Sequence, residues 1–215
     1  VKFEKHFNQK EVEGYCAISF DDYFRDAQIN TTPILKSYNA KATFYVTLNY
    51  VNKKLWGNKN KNRWKAREDA EYNIPFDLMK WSDIYELISN KHEVGAHTIT
   101  HPNLTECSDE DASIEIQESK KALEKKLGIL IKSFAYTRGL FGEREKIFVK
   151  DCGFENAVTT LKNYVDQSQD IFSIARFPGP ISEKHLEYFF AGKFKKYQIK
   201  ILNGIKFRLN KVFKN

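Results

Sequence analysis

Cysteine is scarce in this chain of 215 residues, which contains only Cys16, Cys107 and Cys152. The number is odd and no C-x-x-C pair occurs, which argues against a disulfide framework and against a metal site built from cysteines. The sequence also lacks any apolar run approaching the ~20 residues that a membrane-spanning helix needs. With 41% hydrophobic and 29% charged residues, its composition is typical of an ordinary globular protein with one sizeable core.

Acidic residues are absent after Glu187, although eight Lys and Arg residues follow it. The net charge of the whole chain is +7, so these eight leave the rest of the chain near −1. The basic character therefore belongs to the C-terminal segment. The eight cations are Lys193, Lys195, Lys196, Lys200, Lys206, Arg208, Lys211 and Lys214.

Apolar residues recur every three or four positions through the same segment, which predicts a basic amphipathic helix that Gly204 weakens. We therefore divide the chain into a folded domain, residues 1–192, and a basic amphipathic segment, residues 193–215. Two interpretations of this segment stay open. It packs across the domain, or it rests on an anionic membrane surface, which would place the protein at the cell envelope or the cytoplasmic membrane surface.

Strand-like and helix-like patterns alternate through most of the chain. The predicted strands are residues 12–20, 42–47, 93–96, 131–136, 157–160 and 171–176. The predicted helices are residues 32–38 with Pro33 in the first turn, 82–89 with Ser82 as the cap, 109–127 with Gly128 as the stop, and 143–151. This alternation predicts an α/β fold with a parallel sheet, either open or closed into a barrel. The sequence contains no internal repeat and no glycine-rich phosphate loop.

Chemically active residues stand at the ends of two predicted strands. Asp21 and Asp22 follow the first strand, and His97 follows the third, with His101 four residues later. Because the carboxyl ends of parallel strands meet at one edge, the topology brings these groups together. Two imidazoles and one carboxylate can hold a divalent metal and leave positions open for water and substrate. Zinc is the default ion, with cobalt, nickel, manganese and ferrous iron as alternatives.

Other metal chemistries fit these residues less well. A zinc protease with two histidines one helical turn apart needs a glutamate directly after the first, where this chain has Thr98. Pro102 also disfavours a helical conformation at His101. A non-haem iron oxygenase has no role for the second acid, Asp21. Hydrolysis uses both acids, since one holds the metal and the other takes a proton from water.

Three segments resemble motifs of the polysaccharide deacetylase family, which shares the NodB homology domain. They are Ser-Phe-Asp-Asp at 19–22, His-Thr-Ile-Thr-His-Pro-Asn-Leu at 97–104 and Phe-Ala-Tyr-Thr-Arg-Gly at 134–139. The likeness spans roughly residues 15–190. It implies a distorted (β/α) barrel, often of seven strands, that removes acetyl groups from N-acetylated sugars with the help of a metal ion.

The resemblance also implies roles for single residues. Asp21 corresponds to the catalytic base, and Asp22, His97 and His101 correspond to the metal ligands. In the third motif, Tyr136 and Arg138 fall where the family binds substrate and stabilises the oxyanion, through a backbone N–H near Arg138. The implied partner is an acetylated glycan.

Several positions depart from the family pattern. Tyr23 replaces a glycine, and Ala135 stands where many members carry the arginine that orients the base. We hypothesise that Arg176, at the end of a later predicted strand, supplies that guanidinium from another direction. The family's late Leu-x-His, whose imidazole is the general acid, has no counterpart, because His185 lies in a polar stretch.

The missing acid leaves alternatives open: an O-acetylated substrate, a glycan-binding pseudoenzyme, or an amidohydrolase acting on a C–N bond outside sugars. The tryptophans Trp56, Trp64 and Trp81 lie among or near the basic residues of positions 53–67 and could stack on sugar rings. Nucleic acid would also suit that mixture, but no binding motif supports it, so we expect no nucleic-acid partner. The sequence does not indicate an oligomeric state.

Overall fold

The computed structural model describes residues 17–22, 24–52, 54–55, 76–165 and 168–179. The described residues up to Phe177 belong to one compact unit. Trp56, Trp64, His185 and the basic amphipathic segment at 193–215 lie outside the described residues, as does Tyr23. The predicted division of the chain at 192/193 therefore stays a prediction.

The strands form a parallel sheet and a small antiparallel ribbon. They are β1 (Ile18–Phe20), β2 (Ala42–Val46), β3 (Lys54–Leu55), β4 (Phe76–Asp77), β5 (Glu93–Ala96), β6 (Ser133–Ala135) and β7 (Asn156–Val158). The sheet runs in the order β1-β2-β5-β6-β7 with every neighbouring pair parallel, and β3 pairs with β4. The predicted parallel α/β architecture is thus confirmed.

The strand predicted at residues 171–176 is wrong in extent, because only Ile174 forms a bridge, which is parallel and pairs with Val158. The preceding residues turn around Asp170 instead. Its side chain accepts the N–H of Phe172 at 2.9 Å, and its carbonyl accepts the N–H of Ser173 at 2.9 Å. These local hydrogen bonds compete with sheet pairing.

The described residues contain four α-helices: α1 (Arg25–Ser37), α2 (Trp81–Ser89), α3 (Asp109–Leu127) and α4 (Glu143–Asp151). The bounds of α3 and α4 are those predicted. Helix α3 begins after Ser108, whose Oγ accepts the Asp111 N–H at 3.1 Å, and it ends at Gly128, which has a φ of 67°.

Two helix starts differ from the prediction. Helix α1 begins at Arg25, so Pro33 lies inside the helix and not in its first turn. A proline within a helix removes one N–H donor, and α1 continues through it. Ser82 does not cap α2; the cap position is Lys80, whose N–H donates to Asp83 Oδ2 at 2.8 Å. Arg25 donates to the same oxygen at 3.0 Å and so links α1 to α2.

Alternate residues of the strands face two environments. One face packs against the helices in the main core, to which Phe44, Val94 and Phe134 contribute. The opposite face carries polar groups as well: Glu93 accepts hydrogen bonds from Thr43 Oγ1 at 2.7 Å and from Ser133 Oγ at 2.8 Å. No helix among the described residues is long and apolar enough to cross a membrane.

Candidate active site

The acid pair follows β1 directly and sends its two carboxylates to different partners. Asp22 has a φ of 74°, a left-handed conformation that residues other than glycine rarely adopt. Both side chains are half-buried. Asp21 contacts Arg176, whereas Asp22 contacts the two histidines. The adjacent acids can therefore do different work.

His97 follows β5, and its backbone is held by the end of the neighbouring strand β2. Its backbone N–H donates to Val46 at 3.0 Å, and its carbonyl accepts Thr47 Oγ1 at 3.1 Å. The imidazole Nδ1 lies 2.7 Å from the carbonyl of Ala135. A carbonyl can only accept, so Nδ1 carries the proton and Nε2 presents its lone pair, which is the tautomer suited to metal binding.

His101 reaches the same point through a tight turn. Its φ is 62° and that of Thr98 is 65°, so two non-glycine residues of the turn are left-handed. The His101 N–H donates to Thr98 Oγ1 at 3.0 Å. The two imidazoles meet edge to face, with ring centroids 4.6 Å apart.

The carboxylate of Asp22 joins the two histidines into one cluster. Its Oδ1 lies 3.1 Å from His101 Nε2 and 3.7 Å from His97 Nε2. One ligand atom from each of the three residues lies within 4.8 Å of the others. Donor atoms that each lie ~2 Å from a single zinc ion are ~3–4 Å apart, which the two separations from Asp22 Oδ1 match. Two nitrogens and one oxygen in this arrangement fit a divalent metal.

The electrostatics of His97 also favour metal binding. Burial lowers the pKa of His97, and the negative charge of Asp21 opposes this shift. The side chain is 2% exposed, so water does little to stabilise a charged ring. A neutral imidazole is the form that can bind a metal.

Arg176 holds Asp21 with both arms of its guanidinium. Nη1 donates to Oδ1 and Nη2 to Oδ2, both at 2.7 Å, while Nη1 also donates to Ser19 Oγ at 2.9 Å. Nε donates to the carbonyl of Thr159 at 2.9 Å, and Cζ lies 5.5 Å from the centroid of the Tyr45 ring. Burial alone would lower the pKa of Arg176, but the hydrogen bonds and charge of Asp21 hold it above its ordinary value. The fork fixes the orientation of the Asp21 carboxylate.

The third motif contributes a strained turn beside the cluster. Arg138 is exposed and has a φ of 58°. Gly139 has a φ of 69°, and a Cβ on it would lie 2.0 Å from Thr160 Oγ1, so only glycine fits there. Thr160 Oγ1 also donates to the Arg138 carbonyl at 3.3 Å. The turn is thus fixed against the end of β7.

Tyr136 is not brought to the site by its side chain. It is fully buried in the main core, stacked on Phe141, and its hydroxyl donates to the Phe172 carbonyl at 3.0 Å. The Tyr136 side chain therefore packs inside the core behind the third motif, and the predicted substrate or oxyanion role of this residue stays a prediction.

Sequence reasoning missed Glu115, whose carboxylate contacts the turn between the two histidines. It stands in the predicted helix among several other acids, so its position in the sequence does not distinguish it. The hydrogen bonds of Glu115 with Ile99 and Thr100 depend on the packing of α3 against that turn.

Comparisons with known proteins identify the family of the chain. The sequence model of the polysaccharide deacetylase family matches residues 8–157. A curated relative that carries the same family name, YxkH of Bacillus subtilis (strain 168), is 21% identical over 169 residues, or 79% of this chain and 53% of that protein. The chain therefore spans about half the length of this relative.

Solved structures share the fold. The deacetylase PplD of Streptococcus pyogenes, determined in complex with acetate, is 22% identical with a TM-score of 0.63, over 80% of this chain and 68% of PplD. IcaB from Ammonifex degensii is 18% identical with a TM-score of 0.65, over 83% of this chain and 72% of IcaB. At these identities the likeness concerns the fold.

The match over well more than half of its length shows that the chain belongs to the polysaccharide deacetylase family. In the described residues, five parallel strands and their helices form a curled half-barrel, which matches the distorted (β/α) barrel expected from the sequence. Polysaccharide deacetylases are hydrolases that act on carbon–nitrogen bonds other than peptide bonds, and the family is generally metal-dependent.

Proposed function

We propose that this protein is a metal-dependent hydrolase that removes acetyl groups from an N-acetylated sugar of a polysaccharide or lipid-linked glycan. The observation that carries the proposal is the Asp22–His97–His101 cluster, with the arginine-held carboxylate of Asp21 next to it. Family membership supports the reaction class. The acetylated glycan is the proposed partner, and zinc is the proposed ion.

The metal ligands and the base have separate tasks in this proposal. A divalent ion held by Asp22, His97 and His101 would supply Lewis acidity, which acidifies water and polarises the acetyl carbonyl. Asp21 takes the proton of the attacking water on its carboxylate. Arg176 keeps that carboxylate in one orientation, so the proton transfer needs no side-chain rearrangement.

The developing oxyanion needs a second source of stabilisation, and we expect the third motif to provide it. We assign this to the backbone N–H near Arg138, in the turn that Gly139 and Thr160 hold in place. A preorganised backbone donor of this kind contributes about 3 kcal/mol in other hydrolases. The exposed Arg138 side chain would add positive charge at the mouth of the site.

The leaving amine also needs a proton. The histidines of the described ranges are His92, His97 and His101; two belong to the cluster, and His92 lies at the opposite end of β5. Because no histidine of the described ranges is left for this task, we propose that Asp21 returns the proton it has taken to the leaving nitrogen. The alcohol of an ester is a better leaving group than the amine of an amide and depends less on protonation. O-acetylated sugars therefore belong in the test as well.

The decisive experiment combines metal analysis with acetate release. The purified protein is expected to carry about one equivalent of a divalent ion and to release acetate from at least one acetylated oligosaccharide in a panel of N- and O-acetylated substrates. Asp21→Asn should keep the ion and lose acetate release. Bound metal without acetate from any sugar would favour a pseudoenzyme or an amidohydrolase for other C–N bonds; absence of metal would refute the proposal.

A further inference from the structure

Glu115 on α3 reaches the turn that separates the two histidine ligands. Its Oε2 accepts the backbone N–H of Ile99 at 2.7 Å and that of Thr100 at 2.9 Å. Its Oε1 accepts the hydroxyl of Thr100 at 2.6 Å. One half-buried carboxylate thus collects three donors from two consecutive residues, both of which lie between His97 and His101.

This turn needs external support because its own conformation is unfavourable. Thr98 and His101 both have positive φ values, 65° and 62°, which residues with a Cβ adopt only when their surroundings impose them. Relaxation of either residue would change the direction of the His101 side chain relative to that of His97.

Two elements support the turn. The N–H of Leu48 donates to the Thr98 carbonyl at 3.1 Å, and the N–H of Asn49 donates to the Ile99 carbonyl at 2.9 Å. Glu115 accepts the N–H groups of Ile99 and Thr100. The carbonyls of the turn are therefore fixed by the segment after β2, and its N–H groups are fixed by α3.

We propose that Glu115 is a positioning residue for the metal site: it holds the turn so that both imidazole Nε2 atoms face Asp22. This inference rests on the metal site of the proposed function. The contribution of Glu115 is geometric, because its carboxylate accepts hydrogen bonds from Ile99 and Thr100, which lie between the two histidines. None of these hydrogen bonds involves an imidazole nitrogen. Glu115, a residue of α3 that is not a metal ligand, thereby contributes to metal affinity.

The test measures the zinc dissociation constant by competition with a chromophoric chelator, together with thermal unfolding of the metal-free protein. Glu115→Ala is expected to weaken zinc binding about 10- to 100-fold, the range seen when groups that support metal ligands are removed. Glu115→Gln should weaken it less, since the amide oxygen can still accept one N–H. Thr100→Val keeps the charge of Glu115 and removes one hydrogen bond, so a smaller loss is expected.

The matched control is Glu118→Gln, one turn along the same helix, where the side chain is exposed and pairs with Lys121. It removes the same charge and should leave the zinc dissociation constant unchanged. Equal zinc affinity in the wild type and Glu115→Ala would overturn the inference while leaving the proposed function standing. An equal loss in Glu118→Gln would also overturn it, because net charge would then be the cause. A wild-type protein that binds no divalent ion would overturn both.

A variant that unfolds is covered by the same design. Thr100→Val and Glu115→Gln are the milder changes, and both should retain the unfolding temperature of the metal-free wild type more closely than Glu115→Ala. If Glu115 only stabilised the fold, these variants would unfold at lower temperature and bind zinc normally. The proposal requires weaker zinc binding in the folded variants.

Discussion

Two buried histidines flank β5, and they show how differently the two ends of one strand are used. His92 precedes the strand; its Nδ1 accepts the N–H of Ala42 at 3.2 Å, and its ring meets Phe44 edge-on. His97 follows the strand; its Nδ1 donates to a carbonyl, and its Nε2 faces Asp22. Burial lowers the pKa of both residues.

The difference lies in which groups each imidazole contacts. At His92 the imidazole completes the hydrogen bonding of a neighbouring strand and packs on an aromatic ring, as a core residue does. At His97 the same ring type is turned to leave Nε2 beside a carboxylate and a second imidazole. A buried histidine with a lowered pKa is therefore not by itself evidence of a functional site. The evidence at His97 is that ligand atoms of three residues converge there.

The largest effect is expected from His97→Ala. Removing one of three ligands should weaken zinc binding by more than about 100-fold, the upper range for loss of mere supporting groups. Acetate release should fall with it. The substitution also removes the hydrogen-bond donor of the buried Ala135 carbonyl, which lowers the free energy of unfolding by about 1–3 kcal/mol. Metal content and urea unfolding measure the two consequences separately, and His97→Ala with full zinc content would contradict the assignment of His97 as a ligand.

An intermediate effect is expected from Arg176→Ala, which leaves the metal ligands intact. Loss of the fork lets the Asp21 carboxylate rotate, and misplacement of a reacting group by ~1 Å can cost about 100-fold in rate. Arg176→Lys should recover only part of the rate, because a single ammonium cannot hold both oxygens. Zinc content should stay at the wild-type level in both variants.

A double-mutant cycle gives the control for Arg176. If Arg176 acts through Asp21, adding Arg176→Ala to Asp21→Asn should reduce the residual rate little further, since the group to be oriented is gone. Additive losses would show that Arg176 acts elsewhere. Unaltered turnover of the single Arg176→Ala variant would end the hypothesis altogether.

Much of the ligand cluster could be predicted from the sequence because its parts are local. The acid pair stands at the end of one strand, the two histidines stand four residues apart at the end of another, and parallel topology brings strand ends together. Strand β5 and helices α3 and α4 were predicted with the bounds they have, since their apolar patterns and terminal residues agree.

The support of the site could not be predicted in the same way. Arg176 and Asp21 are 155 positions apart, and Arg176 lies beyond the part of the chain that the family model matches. Its suggested role came from the missing arginine at Ala135, and the bidentate geometry came from the structure. No local sequence pattern distinguishes Glu115, whose contact with Ile99 depends on helix packing. Tyr136 occupies a position of the third motif, but its side chain is buried in the core. The roles of such residues depend on tertiary contacts, which local sequence patterns do not indicate.

The smallest effect is expected from His92→Gln, which should alter stability alone. The pKa of His92 is lowered from its ordinary value of 6.5, first by burial and then by the charge of Lys41. Below pH 6.5 the unfolded chain therefore takes up this proton more readily than the folded protein does. The contribution of His92 to stability is fully present above that pH and is lost as the pH falls through the lowered pKa.

Glutamine can still accept the Ala42 N–H but does not titrate, so His92→Gln should make the unfolding free energy of the metal-free protein less sensitive to pH below 6.5. Urea unfolding at pH 7.5, 6.5 and 5.5 measures this. Zinc affinity and acetate release should match the wild type, because His92 lies at the opposite end of β5 from the cluster. A steeper acid-side loss in the variant would refute the lowered pKa, and a loss of zinc binding would refute the contrast between the two histidines.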